Sequence, residues 1–470
     1  MKISGARNVV KRICRTSATF LFKGLHNAVQ RNSQTMTKEK EPGGPHILMV
    51  IIPASGHAAL FIQFLYLLRH HRNVTVTVVC GGPMIAEIAK LHKRGDFNDL
   101  HMHFESIFGP PPRHSDDPEV AVQAALASAQ MESEFQAVKR RLIEEKGTVG
   151  APTSLISDLL LWWTKGTADE LGIPWYSVST SPTWFMLYEF EPQYASLRAT
   201  GLLVNSAFEA EGTTGSLEAL VHLVEQRKKS DPGKPFENTQ VIPIGPMAQI
   251  SGFGVLSTLE DKPSESLKSL DRRDEGSVLY IAFGSECNLT ADETFQLASG
   301  LEESGVPFLW VLKPPSGQTI KDLLPEGFQA RTQGRGFIET GWAPQARILL
   351  HPATGGFLTH CGWNSTLESL CAGVPMITWP ISADQPMNAR FVTDIQKVGV
   401  PVRDGPPEEY FNKVTKEDVT SAVRRLMVSD EAKEIKRNSL EMKRLLSQTV
   451  GEGGSSYVMQ RNFINDLLTV

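Results

Sequence analysis

The sequence predicts an α/β protein built as two doubly wound halves that face each other across a central cleft. Three observations predict it. The chain has 470 residues, more than a single hydrophobic core usually serves. Short, continuous apolar runs alternate with helical stretches, which is the pattern of parallel sheets covered on both faces. That alternation lapses once, from about Gly245 to Glu275, where Ser, Gly, Pro and charged residues replace apolar periodicity. The expected division is a basic N-terminal extension (1–44), a first half (45–245), a linker (246–275), a second half (276–455) and a C-terminal helix (456–470) packing back toward the first half.

The first half opens with HILMVII (46–52), an apolar run bounded by Gly-Pro and Pro-Ala-Ser-Gly, as expected of a strand buried on both faces. A helix is expected from about His57. VTVTVVC, a long helical segment from about Pro118 to Lys146, SLISD, another helix and PWYSVST continue the alternation, and GLLVNS and VIPIG close it. The second half runs through SVLYIAFGS (277–285), FLWVLK, RGFIETGW, TGGFLTH and MITWP, with helical stretches between them. In such folds small molecules bind at the C-terminal ends of the strands.

Composition excludes several function classes. With 47 basic and 52 acidic residues the net charge is −5, and no basic stripe with interleaved aromatics suggests a nucleic-acid partner. The most apolar run, AALFIQFLYLL at 58–68, is far short of a bilayer span, so no membrane span is expected. Cys14, Cys80, Cys287, Cys361 and Cys371 form no CxxC pair, which suits a reducing compartment. Residues 1–38 hold eight Lys or Arg and no acidic residue. That is the composition of an organelle transit peptide, or of an upstream extension before a start at Met36. Cytoplasmic residence is expected, with plastid or mitochondrial targeting as the alternative. Without residues 1–35 the chain keeps 40 basic against 52 acidic residues, so its body is acidic.

Residues 357–373 read FLTHCGWNSTLESLCAG, a dense polar turn between apolar stretches. His360 and Cys361 are adjacent, so their side chains point apart, and the chain holds no HExxH or paired CxxC to complete a metal site. Gly362, Trp363, Asn364, Ser365 and Thr366 do not make the GxSxG of a serine nucleophile, and no GxxxxGK[ST] occurs. What remains is a strand ending at His360, a tight turn, and a helix starting near Asn364 or Ser365, whose N-terminus is an anion site. Ser365 and Glu368 also have the spacing of a capping box. Elsewhere, Gly56-His57 puts an imidazole at a strand-to-helix turn, and Asp158 ends SLISD at the same end of the sheet. Read alone, each is equally an ordinary helix start.

The wider window decides more. From Trp342 to Gln385 the chain reads WAPQARILLHPATGGFLTHCGWNSTLESLCAGVPMITWPISADQ, 44 residues that closely resemble the signature box of the plant secondary-product glycosyltransferases, the family 1 UDP-sugar transferases of GT-B fold. The resemblance runs more loosely over 45–470, through FGSE (283–286) and GGSSY (453–457), and leaves out the N-terminal extension. It implies two Rossmann-like domains, the first binding an acceptor and the second a UDP-sugar. It further implies a monomer that uses UDP-glucose as a co-substrate, with no separate cofactor and no metal.

Residue by residue, the resemblance implies that Trp342 stacks on uracil, that Ala343 meets the base edge through its backbone, and that Gln345 and Glu368 hold the ribose. His360, Asn364 and Ser365, with Ser285, would hold the diphosphate. Trp363, Asp384 and Gln385 would contact the sugar, and a Gln at the last position usually accompanies glucose. His57 matches the general base and Asp158 the carboxylate that orients it. His57, Thr180, Trp184 and Ala383 would meet the acceptor. The implied reaction is inverting transfer of glucose to a hydroxyl of a small lipophilic acceptor, such as a phenolic or flavonoid, giving a β-glucoside. A transferase using UDP-galactose, UDP-xylose or UDP-rhamnose, and a non-catalytic UDP-sugar binder, are the alternatives. The chain departs from the family where only eighteen residues separate Pro182 from GLLVNS. Relatives usually carry a longer insertion there, so the pocket would be more open, or lined by Trp184, Phe185, Tyr188 and Phe190.

Overall fold

The computed structural model describes residues 44–107, 120–144, 150–184, 186, 199–211, 216–230, 239–250, 264–284, 287, 289–314, 318–405 and 413–469. The basic extension and its targeting reading lie outside these residues, as does Ser285.

Two all-parallel sheets carry the fold. The first has the order β3-β2-β1-β4-β5-β6-β7. Its strands are β1 (His46–Val50), β2 (Val74–Cys80), β3 (Leu100–Ser106), β4 (Ser154–Asp158), β5 (Trp175–Ser179), β6 (Gly201–Val204) and β7 (Gln240–Pro243). The second has the order β10-β9-β8-β11-β12-β13, with β8 (Val278–Ala282), β9 (Phe308–Val311), β10 (Gly336–Glu339), β11 (Thr354–Thr359), β12 (Met376–Thr378) and β13 (Gly399–Pro401). Every residue of β1, β4, β5 and β8 is buried. Helices on both faces of each sheet require this, and it is why β1 and β8 read as nearly continuous apolar runs.

Strand order sets where the sites lie. In the first sheet the winding reverses between β1 and β4, which are paired in parallel from Ile47 with Ser154 to Val50 with Ser157. In the second it reverses between β8 and β11. Crevices open at the C-terminal ends of such neighbouring strands. Helix α1 (Ser55–Leu68) leaves β1 at the first crevice. Helix α4 (Trp363–Ala372) leaves β11 at the second.

Two further strands, β3 and β13, complete the sheet edges, and the helix after β1 starts at Ser55, two residues earlier than the sequence suggested. Between the sheets, residues 246–275 include a short helix α2 (Met247–Ile250) and the helix Glu265–Leu270. Helix α6 (Ser455–Thr469) runs back onto the first sheet. There Phe463, Ile464 and Leu467 join the core of Ile47, Met49 and Phe64, each burial contributing about 1.5–3 kcal/mol. Gln460 donates to the Ile244 carbonyl, 2.5 Å. Among the described residues no helix is long and apolar enough to cross a membrane.

Candidate active site

His57 is the third residue of α1, and its Nδ1 lies 2.5 Å from Oδ2 of Asp158 at the end of β4. The two residues are 101 apart in sequence, and the β1–β4 pairing brings them together at the first crevice. Asp158 is 1% exposed, and its second oxygen accepts from the Leu160 N–H, 2.9 Å. A carboxylate held this way fixes the imidazole with its proton on Nδ1, which makes Nε2 the proton-accepting atom. Thr180, expected at the acceptor, places its Oγ1 3.4 Å from the same Nδ1.

At the second crevice, β11 leads through His360 into the turn at Cys361, a non-glycine residue with φ of 64°. Such a backbone is strained and is common at functional turns. His360 sits between two glycines that must lack side chains. A Cβ on Gly284 would stand 2.8 Å from the imidazole, and one on Gly362 would stand 2.6 Å from Nε2. Burial pushes His360 down to about 4, so its ring is neutral near pH 7. Its Nδ1 is buried and has no hydrogen-bond partner among the described residues. The following helix starts at Trp363 with Gly362 as its cap and no side-chain cap bond. The capping box suggested by Ser365 and Glu368 therefore does not form. Ser365 sits in the first turn, beside the backbone N–H groups that make helix N-termini anion sites.

Glu368 turns instead toward helix α3 (Gln345–Leu350). Gln345 donates from Nε2 to Glu368, 2.7 Å, and lies 3.0 Å from Ser365 Oγ. Its Oε1 accepts from the buried Tyr280 hydroxyl, 3.2 Å. Burial pushes the Glu368 carboxyl up to about 7. Beside this polar pair Trp342 is 44% exposed, a large ring open to a stacking partner. The Ala343 carbonyl already accepts from the Gln345 N–H, 2.8 Å.

The loop before helix α5 (Gln385–Arg390) completes the ring of groups. Ala383 is exposed with φ of 54°. Asp384 is buried, and desolvation pushes it up to about 6, moderated by Asn388 and by the His57 and Ser181 side chains of the other half. Asp384 thus faces the His57 crevice. Gln385 uses its Oε1 to accept from the N–H groups of Ile381, 2.8 Å, and Ser382, 2.9 Å. Its amide nitrogen lies 3.6 Å from Cys287 Sγ, so Gln385 shapes the loop.

Three of the expected residues also join the two halves. The Trp363 ring, expected at the sugar, is 3% exposed, and its Nε1 donates to the Asn205 carbonyl, 2.9 Å. Trp184, expected at the acceptor, stacks on Phe391 with centroids 4.4 Å apart and meets Trp363 edge-on at 5.0 Å. Both rings are drawn into packing between the halves because that is where their apolar area is removed from water. The Asn364 side chain donates to the Gly56 carbonyl, 2.7 Å, and accepts from Asn205, 3.4 Å, which leaves its backbone for an anion. Phe185, Tyr188 and Phe190 lie outside the described residues. Among the described residues, no group of three or more His, Cys, Asp or Glu is arranged to hold a metal ion.

Comparison with known proteins fits this geometry. The family "UDP-glucoronosyl and UDP-glucosyl transferase" matches residues 243–447. UDP-glycosyltransferase 72B1 of Arabidopsis thaliana is 30% identical over 481 residues, covering 89% of this chain and 95% of the relative. The chain belongs to the plant family 1 UDP-glycosyltransferases. Zeatin O-xylosyltransferase of Phaseolus vulgaris is 29% identical, over 89% of this chain and 97% of the relative. A solved UDP-glucosyltransferase from Polygonum tinctorium, capable of glucosylating indoxyl, superposes with a TM-score of 0.72 at 28% identity, over 92% of this chain and 100% of the other. This glycosyltransferase therefore has the GT-B fold.

Two residues that sequence reading passed over now stand out in the glycosyltransferase. Asn388 donates to the Cys361 carbonyl, 2.9 Å, and to Asp384, 3.1 Å, tying the strained turn to the loop that faces His57. Its place four residues after Asp384 on a helix was the available signal. Asn205, at the C-terminal end of β6, joins the two halves. Its signal was its place at a strand end in GLLVNS.

Proposed function

We propose that this glycosyltransferase moves glucose from UDP-glucose to a hydroxyl of a small lipophilic acceptor, a phenolic or flavonoid, with inversion to a β-glucoside and without a metal ion. The observation that carries the reading is the His57–Asp158 pair, 2.5 Å apart at the first crevice, where the imidazole also favours the charged form of Asp384 from the other half. His57 Nε2 takes the proton of the acceptor hydroxyl, and the imidazolium that forms is balanced by Asp158. The acceptor oxygen attacks the anomeric carbon from the face opposite the diphosphate. The bond from that carbon to the diphosphate oxygen breaks, and UDP leaves with the electron pair.

Negative charge then develops on the diphosphate, beside the N-terminus of α4 and the neutral His360. Fixed donors of this kind stabilise developing charge without reorganising. Trp342 would stack on uracil, Gln345 and Glu368 would take the ribose hydroxyls, Ser285 and Ser365 would join His360 on the diphosphate, and Asp384 and Gln385 would read the sugar. The test is turnover of UDP-glucose with a panel of phenolic acceptors, product mass detection and NMR of the anomeric proton. Loss of activity in chelator or an α-linked product would overturn the proposal.

A second donor reading has its own support, since one relative is named for xylose transfer. Competition between UDP-glucose and UDP-xylose for a single acceptor separates the two by product mass.

A further inference from the structure

Asn205 has no place in the reaction proposed above, yet two of its polar atoms bridge the two halves and a third holds the linker. It is 2% exposed. Its carbonyl accepts from Trp363 Nε1, 2.9 Å, and its Nδ2 donates to Asn364 Oδ1, 3.4 Å. Trp363 and Asn364 are the first two residues of the donor-side helix α4. Asn364 in turn donates to the carbonyl of Gly56, the residue before His57.

The third atom, Oδ1, accepts from the N–H of Met247, 2.9 Å. Met247 opens α2, which packs against both α1, the helix of His57, and α4. The chain closes tightly around this amide. A Cβ on Gly245 would stand 2.7 Å from Asn205 Oδ1 and 2.5 Å from the Ser206 nitrogen.

The geometry points to Asn205 as a positioning residue that sets where the donor helix sits relative to His57. This rests on the reading of His57 as the base. The acceptor oxygen is held at one crevice and the anomeric carbon at the other, on separate sheets. Neither sheet fixes the separation of the two crevices. Displacement needs the reacting atoms about 3–3.5 Å apart and aligned, and an error of about 1 Å can cost on the order of a hundredfold. Asn205 sits where that separation is set: its backbone holds the indole of α4, its amide nitrogen holds the residue that grips Gly56, and its amide oxygen holds the wedge helix between α1 and α4.

The test compares Asn205→Ala and the isosteric Asn205→Asp with wild type and His57→Ala. UDP sites are counted and UDP affinity measured by calorimetry. Turnover per UDP site is measured with a neutral alcohol acceptor and with a thiol already ionised at the assay pH. Asn205→Ala is expected to bind one UDP with affinity within about twofold of wild type, and to transfer about tenfold or more slowly per site, by the same factor for both acceptors. Asn205→Asp keeps the acceptor for Met247 and loses the donor to Asn364, so a smaller loss with the same acceptor independence is expected. It decides the question if Asn205→Ala does not fold. Wild-type turnover per site in both variants would overturn the inference. So would fewer UDP sites with unchanged turnover per site, since Asn205 would then serve only the fold. A loss confined to the neutral acceptor would also overturn it, by placing Asn205 in the proton transfer. His57→Ala turning over neutral acceptors at the wild-type rate would instead remove the base reading, a result independent of how the Asn205 variants rank.

Discussion

Gln345 donates its amide N–H to Glu368 at 2.7 Å while the oxygen of the same amide accepts from Tyr280. This neutral amide faces a carboxyl that burial pushes up to about 7 from its ordinary 4.5. The folded state therefore holds the Glu368 proton more tightly than the unfolded chain does, and stability falls as pH rises from about 4.5 to about 7. Glu368→Gln does not titrate. Its stability relative to wild type should grow across that window by on the order of 2–3 kcal/mol. Thermal unfolding at pH 5 and pH 8 measures it, and a pH-independent difference would refute the effect of burial. The same variant should bind UDP about tenfold more weakly at pH 8, because the ribose loses a charged acceptor.

If His57 is the base, His57→Ala should leave UDP affinity within about twofold while transfer to neutral hydroxyls falls by about 10²–10⁴-fold. Asp158→Asn should also slow transfer, since an amide does not balance an imidazolium. The double variant should cost little more than His57→Ala, because the pair acts as a unit. A thiol or acidic phenol already ionised at the assay pH should lose much less. Wild-type rates to neutral alcohols in His57→Ala would refute the mechanism.

Gln385 carries two expectations that separate cleanly. Its oxygen accepts from the Ile381 and Ser382 N–H groups, so replacing it with His should loosen this loop and lower the melting temperature. Each lost bond to a neutral group is worth about 1 kcal/mol. If the side chain also reads a sugar hydroxyl, Gln385→His should shift preference from UDP-glucose toward UDP-galactose by several-fold. A lower melting point with an unchanged sugar ratio would confine Gln385 to loop shaping.

Much of this site was legible because strand ends announce themselves. HILMVII is an apolar run and SLISD a short strand with Leu and Ile near its centre, so the polar residue at or after each end, Asp158 or His57, stood out. Parallel pairing of β1 with β4 then made their meeting a consequence of topology. β3, LHMHFES, was harder to read, since after the buried Leu100 this edge strand is half-buried or exposed throughout and its two His residues break the apolar pattern. β13 spans three residues, Gly399–Pro401, too few for a periodic signal. Contacts between the halves were least legible. No local pattern shows that the Trp363 indole meets a carbonyl 158 residues away, and a motif residue beside a ligand site is readily assigned to the ligand.

Trp184 tests that last point. It stacks on Phe391 and meets Trp363 edge-on, each pair worth about 0.5–1.5 kcal/mol beyond area burial, and its Nε1 is buried with no hydrogen-bond partner among the described residues. Trp184→Ala should remove both contacts and lower stability by about 2 kcal/mol, less than a fully buried Trp would lose. Trp184→Phe keeps a ring for Phe391 and Trp363 and removes the orphaned donor, so its stability should stay within about 1 kcal/mol of wild type. The KM for a planar acceptor should be nearly unchanged in Trp184→Phe. If the ring lined the acceptor pocket instead, the smaller ring would alter that KM several-fold while leaving the melting temperature in place. Thermal unfolding and acceptor KM measured on the same two variants therefore decide whether Trp184 joins the halves or meets the acceptor.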